Sequence, residues 1–156
     1  MIDPKVVKKL QGLVYPKACW YNALETLRFA PKGSVYVEGA CVSQIAMRNG
    51  SVFNMVLDHG WVETEDGDVW DITYVVSKLN AIEYESWLKL TPAQLLAANV
   101  IKPNGKPVKQ IVRELLIDDE VFEVLFGSKG EKIRRDMIHQ KSDIMGAKWK
   151  KYSSQG

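Results

Sequence analysis

The hydrophobic pattern of the chain changes its period near residue 34, and this change limits the folds that the chain can adopt. Before it, Trp20, Ala23, Leu24 and Leu27 recur at helical spacing and form one apolar stripe. After it, the segment 34–42 is rich in β-branched residues and is typical of a strand. We therefore expect an α+β fold in which an amphipathic helix packs on an antiparallel sheet.

The turn at 65–68 joins two further strand-like segments, 58–63 and 69–76. A three-residue loop at this turn would pair Thr64 with Asp68. We predict an antiparallel hairpin in this register, because a slip of one residue would move every side chain to the opposite face of the sheet.

After about residue 85 the sequence predicts helices. Residues 91–94 have the form of a helix N-terminus with a capping box, and residues 103–107 form a loop rich in Pro and Gly. Further helical stripes are predicted in 108–116, in 121–126 before Gly127, and in 133–138. We expect the residues beyond about 142 to be loosely ordered.

These patterns divide the chain into a core, residues 1–80, and a helical C-terminal extension, residues 81–156. We expect the extension to pack on the core, so that the two form one compact domain. A chain of 156 residues is long enough to bury a substantial core.

Composition narrows the class of protein. The chain is 46% hydrophobic and 26% charged, has no apolar run long enough to span a membrane, and begins without the pattern of a secretory signal. Its two cysteines are too few for a disulfide framework. We therefore expect a cytoplasmic protein that does not bind membranes.

The net charge of +2 hides an asymmetry. Residues 128–156 carry eight Lys or Arg and three Asp or Glu, a charge of +5, which leaves −3 for the rest of the chain. A basic tail can contact nucleic acid or an acidic partner. A solvated helix and a ragged end would give the same composition.

Three residues, Cys19, His59 and Asp71, have the local settings that nucleophilic catalysis needs. The first turn of a helix stabilises a thiolate through its free N–H groups and the helix dipole, and Lys17 adds positive potential beside Cys19. His59 would act as the general base, and the predicted hairpin makes Asp71 its diagonal neighbour on the same face. This chemistry requires no metal and no cofactor.

The remaining cysteine and histidine have simpler interpretations. Cys41 alternates with apolar residues along a strand and is expected to be buried, while His139 lies in a charged helix and is expected on the surface. The cysteines and histidines lack the spacing of a zinc site, and no phosphate-binding loop is present.

The stretch from Cys19 to Thr73 resembles the transglutaminase-like superfamily of papain-like cysteine enzymes. In that family a helix begins at the nucleophile, a His-Ala-Trp-Val-Glu segment carries the base, and a strand ends in Val-x-Asp-x-Thr. Here the corresponding segments are 59–63, His-Gly-Trp-Val-Glu, and 69–73, Val-Trp-Asp-Ile-Thr. Gly60 replaces the usual alanine, and Ile72 replaces a frequent proline.

The resemblance implies a papain-like core with a Cys-His-Asp triad that acts on an amide or ester carbonyl through a thioester. Hydrolysis, deamidation and transfer to an amine are all open, and the substrate would be a peptide, a protein or a small amide. The backbone N–H of Cys19 is one donor for the oxyanion. Further candidates for substrate or oxyanion binding are Gln11, Tyr15, Trp20, Asn22 and Trp61.

Two other functions remain open from the sequence. One is a catalytically inactive binding module of the same fold, which would hold nucleic acid or protein through residues 128–156. The other is an enzyme similar to arylamine acetyltransferases, which also use a Cys-His-Asp triad but are much longer.

Overall fold

A computed structural model describes residues 1–100 and 119–153. It confirms the α+β class, with four strands in one sheet and a long C-terminal helix. The elements in chain order are α1 (Pro4–Leu10), α2 (Cys19–Leu27), β1 (Val35–Ala46), β2 (Val52–Glu63), β3 (Val69–Trp70), α3 (Ile72–Ser77), β4 (Asn80–Leu90), α4 (Pro92–Val100), α5 (Asp119–Phe126), a 3₁₀ turn (Gly127–Lys129) and α6 (Gly130–Ser153).

The sheet is antiparallel and curled, with the strand order β3-β2-β1-β4. Its centre is the long hairpin of β1 and β2, which closes where the N–H of Met47 donates to the carbonyl oxygen of Ser51 at 2.8 Å. The short strand β3 and the strand β4 lie at opposite edges. The chain between them, which includes α3, must therefore cross the sheet.

Helix α2 begins at Cys19, as the sequence predicts, and packs chiefly against β2. Its Ala23 joins a hydrophobic core that includes the buried Leu10 of α1, Tyr36 of β1 and Val62 of β2. Removing this apolar surface from water is the main source of stability for such a core. The packing fixes the N-terminus of α2 against the sheet.

The hairpin loop has the predicted register, but the strand after it is shorter than expected. The N–H of Thr64 donates to the carbonyl oxygen of Asp68 at 2.9 Å, and Gly67 has a φ of 86°. The predicted strand 69–76 is wrong beyond Trp70. The Asp71 carboxylate accepts from the N–H of Tyr74 and caps helix α3. A carboxylate at the N-cap position stabilises the start of a helix in this way.

The prediction of helix after residue 85 is also wrong up to Leu90, because residues 80–90 form β4. Two register shifts against β1, between Glu38 and Gly39 and between Val42 and Ser43, interrupt the pairing. Each shift breaks the alternation of side chains by which a strand is identified in a sequence. The predicted boundary at residue 80 thus falls at the start of a strand of the same sheet, and the division into core and extension stays a prediction.

The helix N-terminus at Thr91 is confirmed. The hydroxyl of Thr91 accepts from the N–H of Gln94 at 3.2 Å, and the side chain of Gln94 accepts from the N–H of Thr91 at 2.9 Å. This reciprocal pair is a capping box. The predicted loop at 103–107 and the apolar stripe in 108–116 lie outside the described residues.

Helix α5 ends at Phe126, before a Gly127 with a φ of 63°, as predicted. The expectation of loose order beyond residue 142 is wrong, because α6 continues to Ser153. Lys148 is buried and its ammonium lies 2.6 Å from carboxylate oxygens of both Glu83 and Glu85 on β4. These contacts join residues far apart in the sequence and could not be predicted from the sequence of α6 alone. Its charged composition therefore suggested a solvated end.

Candidate active site

Cys19 is the first residue of α2 and is only 8% exposed. The residue two positions before it, Lys17, has a φ of 61°, a left-handed conformation that turns the chain into the helix. At such a helix start the first N–H groups have no intrahelical acceptor. Because the free N–H groups point toward the start of the helix, they favour negative charge near the sulfur of Cys19.

His59 of β2 and Asp71 lie in direct contact. The Nε2 atom of His59 is 2.7 Å from Oδ2 of Asp71, and the two side chains are 4% and 6% exposed. This hydrogen bond occupies Nε2 and leaves Nδ1 of the ring for another partner. The sequence thus predicted the partnership, although Asp71 reaches the ring from the cap of a helix and not from within a strand.

Cys19 belongs to the same group, because its thiol is a hydrogen-bond partner of the His59 side chain. Burial lowers the pKa of His59, but hydrogen bonds with Asp71 and with the Cys19 thiol, together with the charges of both groups, outweigh it and raise the pKa to about 9. The imidazolium form is therefore favoured at neutral pH. A cationic ring beside a thiol stabilises the thiolate, which is the nucleophilic form of cysteine.

Asp71 has two further donors that sequence reasoning missed. The hydroxyl of Tyr84 donates to Oδ2 at 2.8 Å, and the N–H of Tyr74 donates to Oδ1 at 3.2 Å. Both carboxylate oxygens are therefore engaged. The hydrophobic alternation around Tyr84 is disturbed by the register shifts of β4, so no local signal pointed to it.

Aromatic rings enclose the His59–Asp71 pair. The ring of Trp61 stacks on His59 with centroids 6.2 Å apart, the ring of Tyr74 lies 4.9 Å from His59, and Tyr84 lies 5.0 Å from Trp61. Trp61 is 2% exposed, so it excludes water from this side of the imidazole. Trp61 therefore lies beside His59, while its predicted contact with substrate or oxyanion stays a prediction.

Asn22 does not have a free amide for an oxyanion, because its side chain is used inside the protein. Its Nδ2 donates to the carbonyl oxygen of Tyr15 at 2.7 Å and to the hydroxyl of Thr73 at 2.9 Å, while its Oδ1 accepts from the N–H of Tyr15 at 3.0 Å. Asn22 thus joins the loop before Cys19 to helix α3. This geometry gives it a positioning role that differs from the predicted contact with substrate.

The other predicted binding residues lie at different depths. Gln11 is exposed at the C-terminal end of α1, and its backbone N–H caps that helix. The side chain of Tyr15 is 61% exposed and its ring lies 5.7 Å from that of Tyr21. Trp20 has a buried Nε1 that finds no acceptor in the described part of the chain. Of these residues, Trp20 directly follows Cys19, and its predicted contact with substrate or oxyanion stays a prediction.

Gly60 allows α2 to approach β2 closely. A Cβ atom on Gly60 would lie 2.8 Å from Cδ1 and 3.2 Å from Cα of Trp20. The alanine that is usual in the resembling family would therefore clash with this helix. The glycine lets the helix that carries Cys19 pack directly on the strand that carries His59.

The two residues expected to have no chemical role are placed as predicted. Cys41 is fully buried opposite Tyr84 on β4, and burial raises its pKa to about 12. A thiol in this state is a poor nucleophile. His139 is exposed on α6.

Two surface cavities lie away from the triad. One, of about 510 Å³, lies between α5 and α6, and the other, of about 350 Å³, lies between α2 and α4. Within residues 1–100 and 119–153, no three His, Cys, Asp or Glu side chains converge as metal ligands. Over the same ranges no helix combines the length and apolar character needed to cross a membrane.

Comparisons of the chain with protein-family models, with curated proteins and with solved structures find no match. The family resemblance therefore depends on the motifs quoted above. The functional argument depends on the geometry of Cys19, His59 and Asp71.

Proposed function

We propose that the protein is a cysteine-dependent acyl-transfer enzyme that acts on an amide bond through a thioester. The observation that carries the proposal is the 2.7 Å contact between His59 Nε2 and Asp71 Oδ2 beside the thiol of Cys19. A nucleophile, a base in reach of it, and a third group that orients the base form the arrangement that covalent catalysis requires. The curled sheet with the cysteine helix packed on it also supports a papain-like core.

The roles follow from the positions of the atoms. The Cys19 thiolate forms a bond to the carbonyl carbon while the electron pair of the C=O bond moves to oxygen. When the oxyanion collapses, the C–N bond breaks and the leaving amine takes a proton from the imidazolium of His59. Asp71 accepts from the ring throughout and keeps its orientation.

The second half of the reaction restores the enzyme. Water or a substrate amine gives a proton to His59 and attacks the thioester carbon, and the C–S bond then breaks to release the thiolate. Water gives hydrolysis or deamidation, and an amine gives transfer. A peptide, a protein or a small amide would serve as substrate.

The oxyanion would be bound at the start of α2. The N–H of Cys19 has no intrahelical acceptor and is the donor that we assign to the oxyanion. A donor of this kind stabilises the charge that develops on the carbonyl oxygen. Asn22 is not a second donor, because its amide is already engaged.

Alkylation of Cys19 tests the proposal without a known substrate. The rate with iodoacetamide is measured from pH 5 to 9 on the wild type and on His59→Ala, with modification of Cys19 followed by mass spectrometry. At pH 6 we expect the wild type to react at least about tenfold faster than His59→Ala, because the imidazolium maintains the thiolate. His139→Ala is the matched control, since it removes an exposed histidine.

A slow reaction with the profile of an ordinary thiol, unchanged by His59→Ala, would contradict the proposal. The inactive binding module would then be the better hypothesis. Salt-sensitive affinity for nucleic acid that disappears on removal of residues 128–156 would support that module. Two lysines of this tail, Lys141 and Lys148, already form ion pairs inside the protein, with Asp58 and Glu83.

A further inference from the structure

Tyr84 reaches the triad from the opposite edge of the sheet. It lies on β4, its ring packs against Trp61 at 5.0 Å, and its hydroxyl donates to Oδ2 of Asp71 at 2.8 Å. The same oxygen accepts from Nε2 of His59 at 2.7 Å. One carboxylate oxygen is therefore shared between the His59 ring and the Tyr84 hydroxyl.

The two oxygens of Asp71 are held differently. Among the described residues, the one hydrogen bond to Oδ1 comes from the N–H of Tyr74 at 3.2 Å, and it belongs to the cap of α3. Without Tyr84, the carboxylate would be fixed by this cap and by the His59 ring that it is supposed to orient. The tyrosine supplies a contact from β4, which is anchored in the sheet by its pairing with β1.

We propose that Tyr84 is a positioning residue of the triad. Its hydroxyl holds the Asp71 carboxylate in place, and the carboxylate in turn holds the His59 ring. This role rests on the proposed function, although the contact itself does not. A hydroxyl that donates to Oδ2 also withdraws part of the negative charge that the His59 ring would otherwise meet. Because the cap of α3 still holds Asp71 when this donor is lost, we expect the gain in carboxylate charge to outweigh any loss of orientation at the His59 ring.

The titratable groups around His59 and its partner Asp71 come from four segments of the described chain. They are Cys19 from α2, Cys41 from β1, Asp71 and Tyr74 from the start of α3, and Tyr84 from β4. Burial raises the pKa values of Cys41, Tyr74 and Tyr84, so these three groups are neutral near neutral pH. A change at Tyr84 would therefore reach His59 through Asp71.

The test is a proton NMR titration of His59 in the full chain, wild type against Tyr84→Phe. The chain has two histidines, so His59→Ala assigns the signals, and the exposed His139 serves as an internal reference. Phenylalanine keeps the ring packing on Trp61 and removes the donor. We expect the pKa of His59 to rise by about half a unit, because Asp71 then gives its full charge to the imidazolium.

Tyr74→Phe is the matched control. It removes a hydroxyl from the same aromatic cluster but keeps the backbone N–H that donates to Asp71. We expect it to shift the His59 titration by less than half as much as Tyr84→Phe. An unchanged or lowered pKa in Tyr84→Phe, or an equal shift in Tyr74→Phe, would overturn the positioning role in any variant that retains its circular dichroism spectrum.

The alkylation rate of Cys19 separates this proposal from the proposed function. If His59→Ala leaves the alkylation of Cys19 unchanged while Tyr84→Phe raises the pKa of His59, the enzyme hypothesis fails and the effect of Tyr84 on Asp71 and His59 stands. If His59→Ala slows alkylation while Tyr84→Phe leaves the titration unchanged, the enzyme hypothesis stands and the role of Tyr84 fails.

Discussion

Asp71 binds His59 through one carboxylate oxygen and caps helix α3 with the other. The cap fixes the backbone of Asp71 at the point where the chain leaves β3. The orientation of the His59 ring is therefore coupled to the start of a helix, and both contacts depend on the same carboxylate.

This coupling predicts how stability depends on pH. The pKa of His59 is raised from 6.5 to about 9 in the folded protein, so the protonated ring stabilises the fold. The contribution is complete below pH 6.5 and is lost as the pH rises through about 9. A pKa shift of this size contributes on the order of 3 kcal/mol to the free energy of unfolding.

Urea unfolding between pH 6 and 10 measures this contribution. Asp71→Asn is the comparison, because asparagine also caps helices well but carries no charge. We expect the free energy of unfolding of the wild type to fall more steeply with pH than that of the variant. Parallel curves for the two proteins would show that Asp71 does not hold the proton on His59.

Asn22 is predicted to be essential for the position of Cys19. Asn22→Ala removes the three hydrogen bonds that join Tyr15, Thr73 and α2, and leaves buried polar groups without partners. We expect the free energy of unfolding to fall by about 2–4 kcal/mol and the alkylation of Cys19 at pH 6 to slow. Chemical denaturation and the iodoacetamide rate check the two effects.

Asn49→Ala provides the comparison for Asn22, since Asn49 lies in an exposed turn and its side chain contacts only Ser51 in the described structure. We expect this variant to lose less than about 1 kcal/mol of unfolding free energy and to keep the alkylation rate of the wild type. If both variants lose equal stability, the bridge through Asn22 is not what fixes α2.

The sequence allowed the nucleophile helix, the hairpin register and the His59–Asp71 pair to be predicted, because each depends on nearby residues. The loop 65–67 sets the register, and the apolar stripe after Cys19 sets the helix. Strand β4 escaped prediction because two register shifts interrupt its alternation. Because β4 was not predicted, the contacts of Tyr84 with Asp71 and of Lys148 with Glu83 could not be predicted either.

The close approach of Trp20 to Gly60 was also hidden from the sequence, because it joins a helix and a strand about 40 positions apart. We predict that Gly60→Ala forces α2 away from β2, since the new Cβ would lie 2.8 Å from the Trp20 ring. The free energy of unfolding should fall by roughly 1–3 kcal/mol, the usual effect of overpacking. Cys19 should react more slowly at pH 6, because its distance from His59 increases.

Gly12→Ala is the control for Gly60→Ala, because a Cβ at Gly12 meets no atom within 4 Å. We expect little change in its stability or in its alkylation rate. If Gly60→Ala is as stable and as reactive as Gly12→Ala, then the packing of α2 on β2 tolerates a methyl group and does not set the position of the thiol.

The docking of α6 yields the last prediction. The ammonium of Lys148 lies 2.6 Å from Glu83 and from Glu85, and the hydroxyl of Tyr152 also donates to Glu83. Chiefly because of the hydrogen bond from Lys148, the pKa of Glu83 is lowered to about 2. This ionised carboxylate therefore stabilises the fold above about pH 4.5, and the effect is lost as the pH falls through about 2.

Lys148→Ala should separate α6 from β4. It leaves Glu83 without its main partner, and we expect the free energy of unfolding at pH 7 to fall by about 1–3 kcal/mol, a moderate value because both carboxylates are partly exposed. Hydrogen exchange should become faster in α6 near Tyr152. Lys150→Ala, which removes an exposed lysine from the same helix, is expected to change neither quantity. Equal effects of the two variants would mean that the helix is held by its apolar contacts alone.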